Sequence, residues 1–207
     1  MSYLLSKCLF INLEERKDRL KHVTEQLKTI GISGERVTAV KTKMGAIGCT
    51  MSHIKCLEMA LERNYENVFI CEDDILFVCP NALNKLIENF NRTVQEWDVC
   101  IIGGNNGRPF KLVNDGCLQV FNCQTTTGYI VQRHYFEILI KNFRESVQKL
   151  IHSNDVTRHA LDIYWKKLQQ KGKWFLLTPI MAVQKEGYSD IEKKHVDYRR
   201  MMMIVNK

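Results

Sequence analysis

The sequence predicts an α/β fold built on a mostly parallel central sheet. Short apolar runs alternate with segments whose apolar residues recur at helical spacing, polar motifs follow the apolar runs, and no internal repeat is present. With 207 residues, 45% of them hydrophobic and 26% charged, the composition is that of an ordinary globular protein. We therefore expect one domain over residues 1–207, with a mobile tail after about residue 188.

Strands and helices are predicted to alternate along the first half of the chain. Apolar residues recur at helical spacing from Leu20 to Ile30, and Gly31 supplies a stop signal. After a glycine-bearing loop at 43–48, Thr50 or Ser52 is expected to cap the next helix. The predicted elements are a strand at 8–11, a helix at 15–30, a strand at 36–40, a helix ending near 63, a strand at 68–71 and a helix at 81–90.

The second half continues the alternation with less regular spacing. A buried strand at 98–102 is expected to be broken by the glycine-rich segment 103–107. The remaining predicted elements are strands at 118–121 and 129–131, helices at 133–143 and 156–170, and a last strand at 174–177 that Thr178-Pro179 ends.

The acidic triplet Glu72-Asp73-Asp74 directly follows the apolar run at 68–71. Three adjacent carboxylates repel one another unless a cation or a positive ligand lies among them. Strand alternation would put Glu72 and Asp74 on one side and Asp73 on the other. Because hard divalent cations take oxygen ligands and bridge to phosphates, the triplet predicts a metal–diphosphate site. Taken alone, it is equally typical of a solvated acidic turn or a helix N-terminus.

The glycine-rich phosphate-binding motifs are absent from the sequence. A dinucleotide-binding turn needs Gly-x-Gly-x-x-Gly after the first strand, where this chain has Asn12-Leu13-Glu14-Glu15. The Gly103–Gly107 segment has the wrong spacing, and no P-loop is found. Any phosphate binding should therefore depend on a cation and on basic side chains.

Net charge and targeting signals limit the function classes. The formal net charge of +7, from 30 basic and 23 acidic residues, favours an anionic partner such as a nucleotide, a membrane surface or a nucleic acid. The basic residues are dispersed, so we expect no nucleic-acid partner. No apolar run is long enough to span a bilayer, and the start of the sequence is too polar for a signal peptide. These features predict a cytoplasmic protein.

The eight cysteines are scattered and form no Cys-x-x-Cys pair. Several lie within apolar strand patterns, which is typical of buried thiols. We expect them to be reduced and expect no structural zinc.

Six short motifs follow one another between about residues 8 and 191. They are Phe10-Ile11-Asn12-Leu13 with Arg16, Asp18 and Arg19; Gly45-x-Ile47-Gly48-Cys49-x-x-Ser52-His53; Ile70-x-Glu72-Asp73-Asp74; Thr127-Gly128-Tyr129-Ile130-Val131; Asp162-x-x-Trp165; and Pro179-x-x-x-x-Gln184 with Ser189-Asp190-Ile191. In this order they resemble glycosyltransferase family 25. That family includes bacterial lipooligosaccharide galactosyltransferases and collagen galactosyltransferases, with related proteins in large DNA viruses. Each motif alone is weak, but six in order are strong.

The resemblance implies a GT-A fold and a metal-dependent, inverting hexosyltransferase. A UDP-sugar would be the donor, Mn²⁺ or another divalent cation the cofactor, galactose or glucose the sugar, and a saccharide or hydroxylated protein the acceptor. If the chain is viral, it would act in the host cytoplasm. The alternative is a non-catalytic binding or assembly module that retains the fold. The resemblance implies nothing about oligomeric state.

The resemblance also assigns provisional roles to individual residues. Asp74 would be a direct metal ligand, Glu72 would bind the metal or the ribose, and His195 would be a third metal ligand, with His152 and His159 as rivals. The residues expected around the donor are Asn12, Arg16, Arg19, Gly48, Ser52, His53, Asp73, Thr127 and Gly128.

Asp162 is the candidate general base, because inverting transfer needs a carboxylate to take the acceptor proton. Asp190 would be next in line.

Each of these roles has a plainer alternative. Arg16 and Arg19 could form a solvated helix face paired with acidic neighbours. Ser52 and His53 could be a helix cap and a satisfied buried histidine. Asp162 could be structural or could bind the acceptor. The basic residues at 193–194 and 199–200 are either a solvated tail or a segment that closes over the diphosphate.

Overall fold

The computed structural model describes residues 2–189 and 191–205, and its strands form one large sheet and two small ones. The strands are β1 (Cys8–Asn12), β2 (Glu35–Thr38), β3 (Asn67–Glu72), β4 (Ile75–Phe77), β5 (Val99–Asn106), β6 (Phe110–Asn114), β7 (Cys117–Val120), β8 (Cys123–Gln132), β9 (Trp174–Leu177), β10 (Ala182–Gln184), β11 (Gly187–Ser189) and β12 (Lys194–Val196). β4 pairs with β10 and β11 pairs with β12, both antiparallel.

The eight-stranded sheet has the order β2-β1-β3-β8-β5-β9-β7-β6. β1 is parallel to β2 and β3, and β5 is parallel to β9. β8 lies antiparallel between β3 and β5, and β7 lies antiparallel between β9 and β6. Six strands therefore point one way while β7 and β8 point the other. The predicted α/β fold with a mostly parallel sheet is confirmed.

Helices cover both faces of this sheet. They are α1 (Lys17–Thr29), α2 (Gly45–Glu62), α3 (Pro80–Thr93), α4 (Phe136–Ser153) and the four-residue helices α5 (Val156–His159), α6 (Leu161–Tyr164), α7 (Lys166–Gln169) and α8 (Arg199–Met202). Alternate residues of β1 enter opposite cores. Leu9 and Ile11 pack with α2 and α4, while Cys8 and Phe10 pack with α1 and α3. Because both sheet faces are buried, the strands read as continuous apolar runs.

The start of α2 differs from the prediction. The helix begins at Gly45, inside the expected loop, so neither predicted cap lies at its N-terminus. The Thr50 hydroxyl donates to the Ala46 carbonyl at 2.7 Å, and the Ser52 hydroxyl donates to the Gly48 carbonyl at 2.7 Å. These bonds run back along the helix, an arrangement available to Ser and Thr inside a helix as well as at its cap.

Residues 103–106 of the glycine-rich segment belong to β5 and do not break it. β5 continues through Asn106, with register shifts against β8 on either side of Gly103. A Cβ on Gly103 would lie 2.5 Å from the Ala182 carbonyl oxygen, so this glycine allows β10 to pack closely.

The helices predicted at 133–143 and 156–170 have different bounds. α4 begins at Phe136 and extends to Ser153, and the second helix is split into α5, α6 and α7. Ala160 separates α5 from α6 with an extended ψ of 146°.

From Gly187 onward, the described part of the tail forms β11, β12 and α8. Among the described residues, none of the helices is both long and apolar enough to cross a membrane. Cys79 is exposed, Cys49 is partly buried, and the other six cysteines are buried.

Gly48 determines how closely α2 approaches the chain after β2. A Cβ at this position would lie 2.3 Å from the Val40 carbonyl oxygen, which is backbone and has little freedom to move. We expect Gly48→Ala to lower the free energy of unfolding by about 1–3 kcal/mol through overpacking. Urea unfolding checks this. The control is Gly187→Ala, because a Cβ on Gly187 meets no atom of the described residues within 4 Å. Equal stability of the two variants would contradict the prediction.

Candidate active site

Three carboxylates gather where β3 ends. Glu72 is the last residue of β3, and Asp73 and Asp74 form the turn into β4. Arg19 of α1 donates through Nη1 to Asp73 Oδ1 at 2.9 Å and to Asp74 Oδ2 at 3.1 Å. The expectation that Asp73 and Asp74 face opposite sides is wrong, because the strand ends at Glu72 and the turn interrupts the alternation.

Asp73 is held from the first strand as well as from α1. The buried Asn12 donates through Nδ2 to Asp73 Oδ2 at 2.7 Å and to the backbone carbonyl of Arg16 at 3.1 Å. Both oxygens of Asp73 are therefore hydrogen-bonded. With both oxygens bonded, the Asp73 side chain orients the turn between β3 and β4.

Glu72 is fixed from three other elements. Thr126 of β8 donates its hydroxyl to Glu72 Oε1 at 2.6 Å, and His53 Nε2 of α2 lies 3.3 Å from the same oxygen. Gln184 of β10 approaches Glu72 Oε2 at 3.5 Å. Burial opposes ionisation of this carboxyl, but the interactions with His53 and Thr126 outweigh it and lower the pKa of Glu72.

Asp74 is the least satisfied of the three acids. Its Oδ1 atom is buried and has no hydrogen-bond partner among the described residues. Burial, followed by the negative charge of Glu72, raises the pKa of Asp74 to about 7, although Arg19 acts in the opposite direction. Burial also raises the pKa of Asp73. An unpaired carboxylate oxygen beside two further acids fits a hard divalent cation, which takes oxygen ligands.

The acidic cluster separates two cavities of about 340 Å³ each. Seven residues line both: Arg19, Cys49, Glu72, Asp74, Gln184, Ser189 and Ile191. We call the first the Asn12 cavity; its other walls include Asn12, Leu13, Val40, Lys41, Lys43, Ser52, His53 and Lys193. We call the second the Asp162 cavity; its other walls include Thr125, Thr126, Asp162, Ile163, Val196 and Tyr198. The carboxylates of Glu72 and Asp74 therefore line both cavities.

Asp162 lies in the first turn of α6, where the predicted long helix is interrupted. Its Oδ2 atom accepts the Thr125 N–H at 3.0 Å, and the side chain faces the Asp162 cavity. Burial raises the pKa of Asp162, and the charge of Glu72 adds to the effect. The structure therefore brings this predicted carboxylate to the same cavity as Asp74.

Other predicted site residues have structural partners. Arg16 forms an ion pair with Asp18 at 3.0 Å, as the plainer alternative proposed. Gly48 lies against the Val40 backbone, and the Ser52 hydroxyl accepts the Val40 N–H at 2.8 Å. These two residues join α2 to the loop that lines the Asn12 cavity.

The predicted pair on β8 is buried in the sheet. A Cβ on Gly128 would lie 2.8 Å from Ile75 Cδ1, so this glycine accommodates a core side chain. The Thr127 hydroxyl is buried and has no partner among the described residues. The neighbouring Thr126 is the one that reaches Glu72.

The predicted third metal ligand does not join the cluster. His195 is exposed on β12, in register with Tyr188 of β11. Within the described ranges, the three potential ligands that converge are Cys49, His53 and Glu72. His152 instead contacts the Gln148 carbonyl at 2.6 Å. Asp190, the second candidate for the general base, lies outside the described residues.

Sequence reasoning missed the roles of Cys49, Thr126, Tyr129 and Gln184. Cys49 and His53 are four residues apart, which puts them on one helical face, so this signal was available. Tyr129 and Gln184 belong to two of the six motifs that carry the family resemblance, but no site role is predicted for them. The choice between Thr126 and Thr127 depends on the side of β8 that faces Glu72, and the sequence does not fix this.

Residues 43–111 match glycosyltransferase family 25, described as an LPS biosynthesis protein family. This segment runs from just before α2 into β6 and includes the acidic triplet. The predicted family resemblance is confirmed there. No curated protein sequence matches the chain.

Solved structures extend the likeness to the whole fold. A glycosyltransferase involved in glycosylation of the major capsid of PBCV-1 is 13% identical, with a TM-score of 0.51 over 97% of this chain and 100% of that one. Two structures of UDP-glucose pyrophosphorylase, one apo and one complexed with UDP-glucose, are each 9% identical over 87% of this chain and 92% of theirs, with TM-scores of 0.53 and 0.51. The fold is of the GT-A type, as predicted. Together with the family match, it supports a transferase.

The raised pKa of Asp74 predicts a specific dependence of stability on pH. A folded-state pKa of about 7 exceeds the ordinary value of about 3.9, so the folded state binds the proton more tightly than the unfolded state. The free energy of unfolding of metal-free protein should therefore fall as pH rises from about 4 to about 7. Asp74→Asn should remove up to about 1.4 kcal/mol per pH unit of that decline.

Urea unfolding at several pH values in the presence of a chelator measures this slope. Asp18→Asn is the control, since a pKa lowered to about 2 places the Asp18 transition below the window. Identical slopes for wild type and Asp74→Asn would refute the assignment.

Proposed function

We propose that this chain is a single-domain, cation-dependent glycosyltransferase. It would transfer a hexose, galactose or glucose, from a UDP-sugar to a saccharide or hydroxylated protein acceptor, with inversion. The observation that carries the proposal is the position of Glu72 and Asp74 between two cavities, with Asp162 facing the second. A transferase needs two substrates to meet at one charged centre, and this arrangement provides it.

The Asn12 cavity suits the nucleotide diphosphate of the donor. Arg19, Lys41, Lys43 and Lys193 contribute positive charge to its lining. These side chains complement a diphosphate, while the apolar walls suit a base. Lys41 also forms an ion pair with the exposed Glu15, which lines the same cavity.

The acids fit the cation that the resemblance implies. Asp74 would hold it through the unpaired Oδ1, with Glu72 as a second oxygen ligand. A bound divalent cation would supply positive charge to the leaving diphosphate. Arg19 forms ion pairs with Asp73 and Asp74 and would add its own charge beside the phosphates.

The Asp162 cavity suits the acceptor. The Thr125 N–H holds Asp162 Oδ2, which orients the carboxylate within the cavity. The raised pKa makes Asp162 a better proton acceptor than an ordinary aspartate. As the acceptor oxygen bonds to the anomeric carbon, its proton would pass to Asp162. The bond from that carbon to the diphosphate oxygen would break, and its electron pair would leave with UDP.

Binding of UDP should require the cation and Asp74. Three clustered carboxylates repel a diphosphate, so calorimetry should detect UDP binding with Mn²⁺ and much weaker binding without it. Asp74→Ala should lower the Mn²⁺-dependent affinity at least about tenfold, while circular dichroism stays unchanged. Asp115→Ala is the control because Asp115 is exposed and does not belong to either cavity lining. Unchanged UDP affinity in Asp74→Ala would remove the basis for the site.

Asp162→Asn should separate donor binding from transfer. The asparagine keeps the shape and can still accept the Thr125 N–H, but it cannot take a proton. We expect UDP-sugar affinity close to wild type and transfer slowed by about two orders of magnitude or more.

The donor for this assay is first identified by screening UDP-sugars for hydrolysis. Transfer at near wild-type rate in Asp162→Asn would disprove the general-base role. UDP binding without turnover of any donor by the wild-type protein would favour the non-catalytic module.

A further inference from the structure

A second ligand set lies beside Asp74 and differs from it in chemistry. Cys49 and His53 are one helical turn apart on α2, and both face Glu72. His53 Nε2 lies 3.3 Å and Cys49 Sγ lies 4.0 Å from Glu72 Oε1. One ligand atom from each of the three lies within 4.8 Å of the others. This spacing is small enough for a single ion to contact all three after minor side-chain adjustment.

The ligand types distinguish this set from the carboxylates around Arg19. A thiolate and an imidazole favour Zn²⁺ and similar thiophilic cations, whereas Mn²⁺ and Mg²⁺ favour oxygen. Three protein ligands with one open position is the arrangement of zinc sites that exchange a ligand. Cys49 lines both cavities, so the open position would be reached from either side.

The surroundings of His53 support a ligand role. Its Nδ1 atom lies 2.8 Å from the hydroxyl of Tyr129, and both residues are fully buried. Tyr129 is itself packed edge-on against Trp165, so the hydroxyl is held in place. Metal-bound imidazoles commonly donate their other N–H to an oxygen acceptor, usually a carboxylate, a carbonyl or water, which fixes the ring and its tautomer. The Tyr129 hydroxyl supplies an oxygen at this position. Thr126 similarly anchors Glu72.

We propose that Cys49, His53 and Glu72 form a binding site for a thiophilic divalent cation of the Zn²⁺ class. The binding itself does not depend on the proposed transferase activity. One consequence does rest on that function: Glu72 belongs to both ligand sets, so Zn²⁺ at this site weakens Mn²⁺-dependent UDP binding.

Co²⁺ is the probe for the site, because thiolate ligation gives it an intense sulfur-to-metal absorption band that oxygen ligation lacks. The wild-type protein should take up one Co²⁺ with this band, and Zn²⁺ should displace it. Cys49→Ser should abolish the band and lower Zn²⁺ affinity at least tenfold. Cys79→Ser is the matched control, since Cys79 is exposed and should leave both unchanged. A band that survives in Cys49→Ser, or Co²⁺ uptake without a band in the wild type, would overturn the proposal.

Two further measurements test the site if Cys49→Ser fails to fold, or if a thiol other than Cys49 binds the metal non-specifically. Tyr129→Phe keeps the ring but removes the hydroxyl, and should lower Zn²⁺ affinity by about 10–100-fold with the band retained. In the wild type, Zn²⁺ should slow alkylation of Cys49 and leave Cys79 unaffected, as read by mass spectrometry. Equal alkylation of Cys49 with and without Zn²⁺ would reject the site. UDP calorimetry with Mn²⁺ alone tests the transferase proposal separately.

Discussion

The arrangement of the site depends on the guanidinium of Arg19. It lies between Asp73 and Asp74, and its Nη2 atom also donates to the Tyr188 carbonyl at 2.8 Å. One side chain therefore joins α1, the turn after β3 and the start of the tail. Carboxylates this close and this buried destabilise a fold unless a positive charge compensates them. The position of α1 is thus coupled to the negative charge of Asp73 and Asp74 in the turn after β3.

The sheet topology explains how distant segments supply the partners of Glu72. β8 runs antiparallel between β3 and β5, so its early residues lie beside the carboxyl end of β3. Thr126 thereby meets a carboxylate 54 positions earlier in the chain. α2 adds His53 from one side, and β10 adds Gln184 from another. A carboxylate held from three directions presents a fixed face to any ligand.

Local signals predicted the alternation of elements and the acids after β3, because apolar periodicity and a charged strand end are encoded within a few residues. Those local signals do not indicate the contacts between distant residues that complete the site. The pairing of Arg19 with Asp73 joins residues 54 apart, and the facing side of β8 depends on its neighbours in the sheet. The start of α2 was misplaced because glycines normally indicate loops, whereas Gly48 here permits close packing on Val40. His195 was chosen by analogy alone, and its exposure on β12 reflects a hairpin that the sequence did not reveal.

The insertion of β8 also bears on how the protein is made. The first 122 residues include β3 and β5 but lack the strand that separates them in the sheet. While the chain emerges from the ribosome, both strands therefore have an edge with unpaired backbone groups, and such edges are templates for pairing with other chains. The β3-β8-β5 part of the sheet becomes continuous only after residue 132 has been synthesised and β8 has entered between strands that precede it, and β9 must still enter between β5 and β7. These edges stay unpaired for as long as synthesis takes to pass from β5 to β8, and for β5 to β9, which is a consequence of translation order rather than of the finished fold.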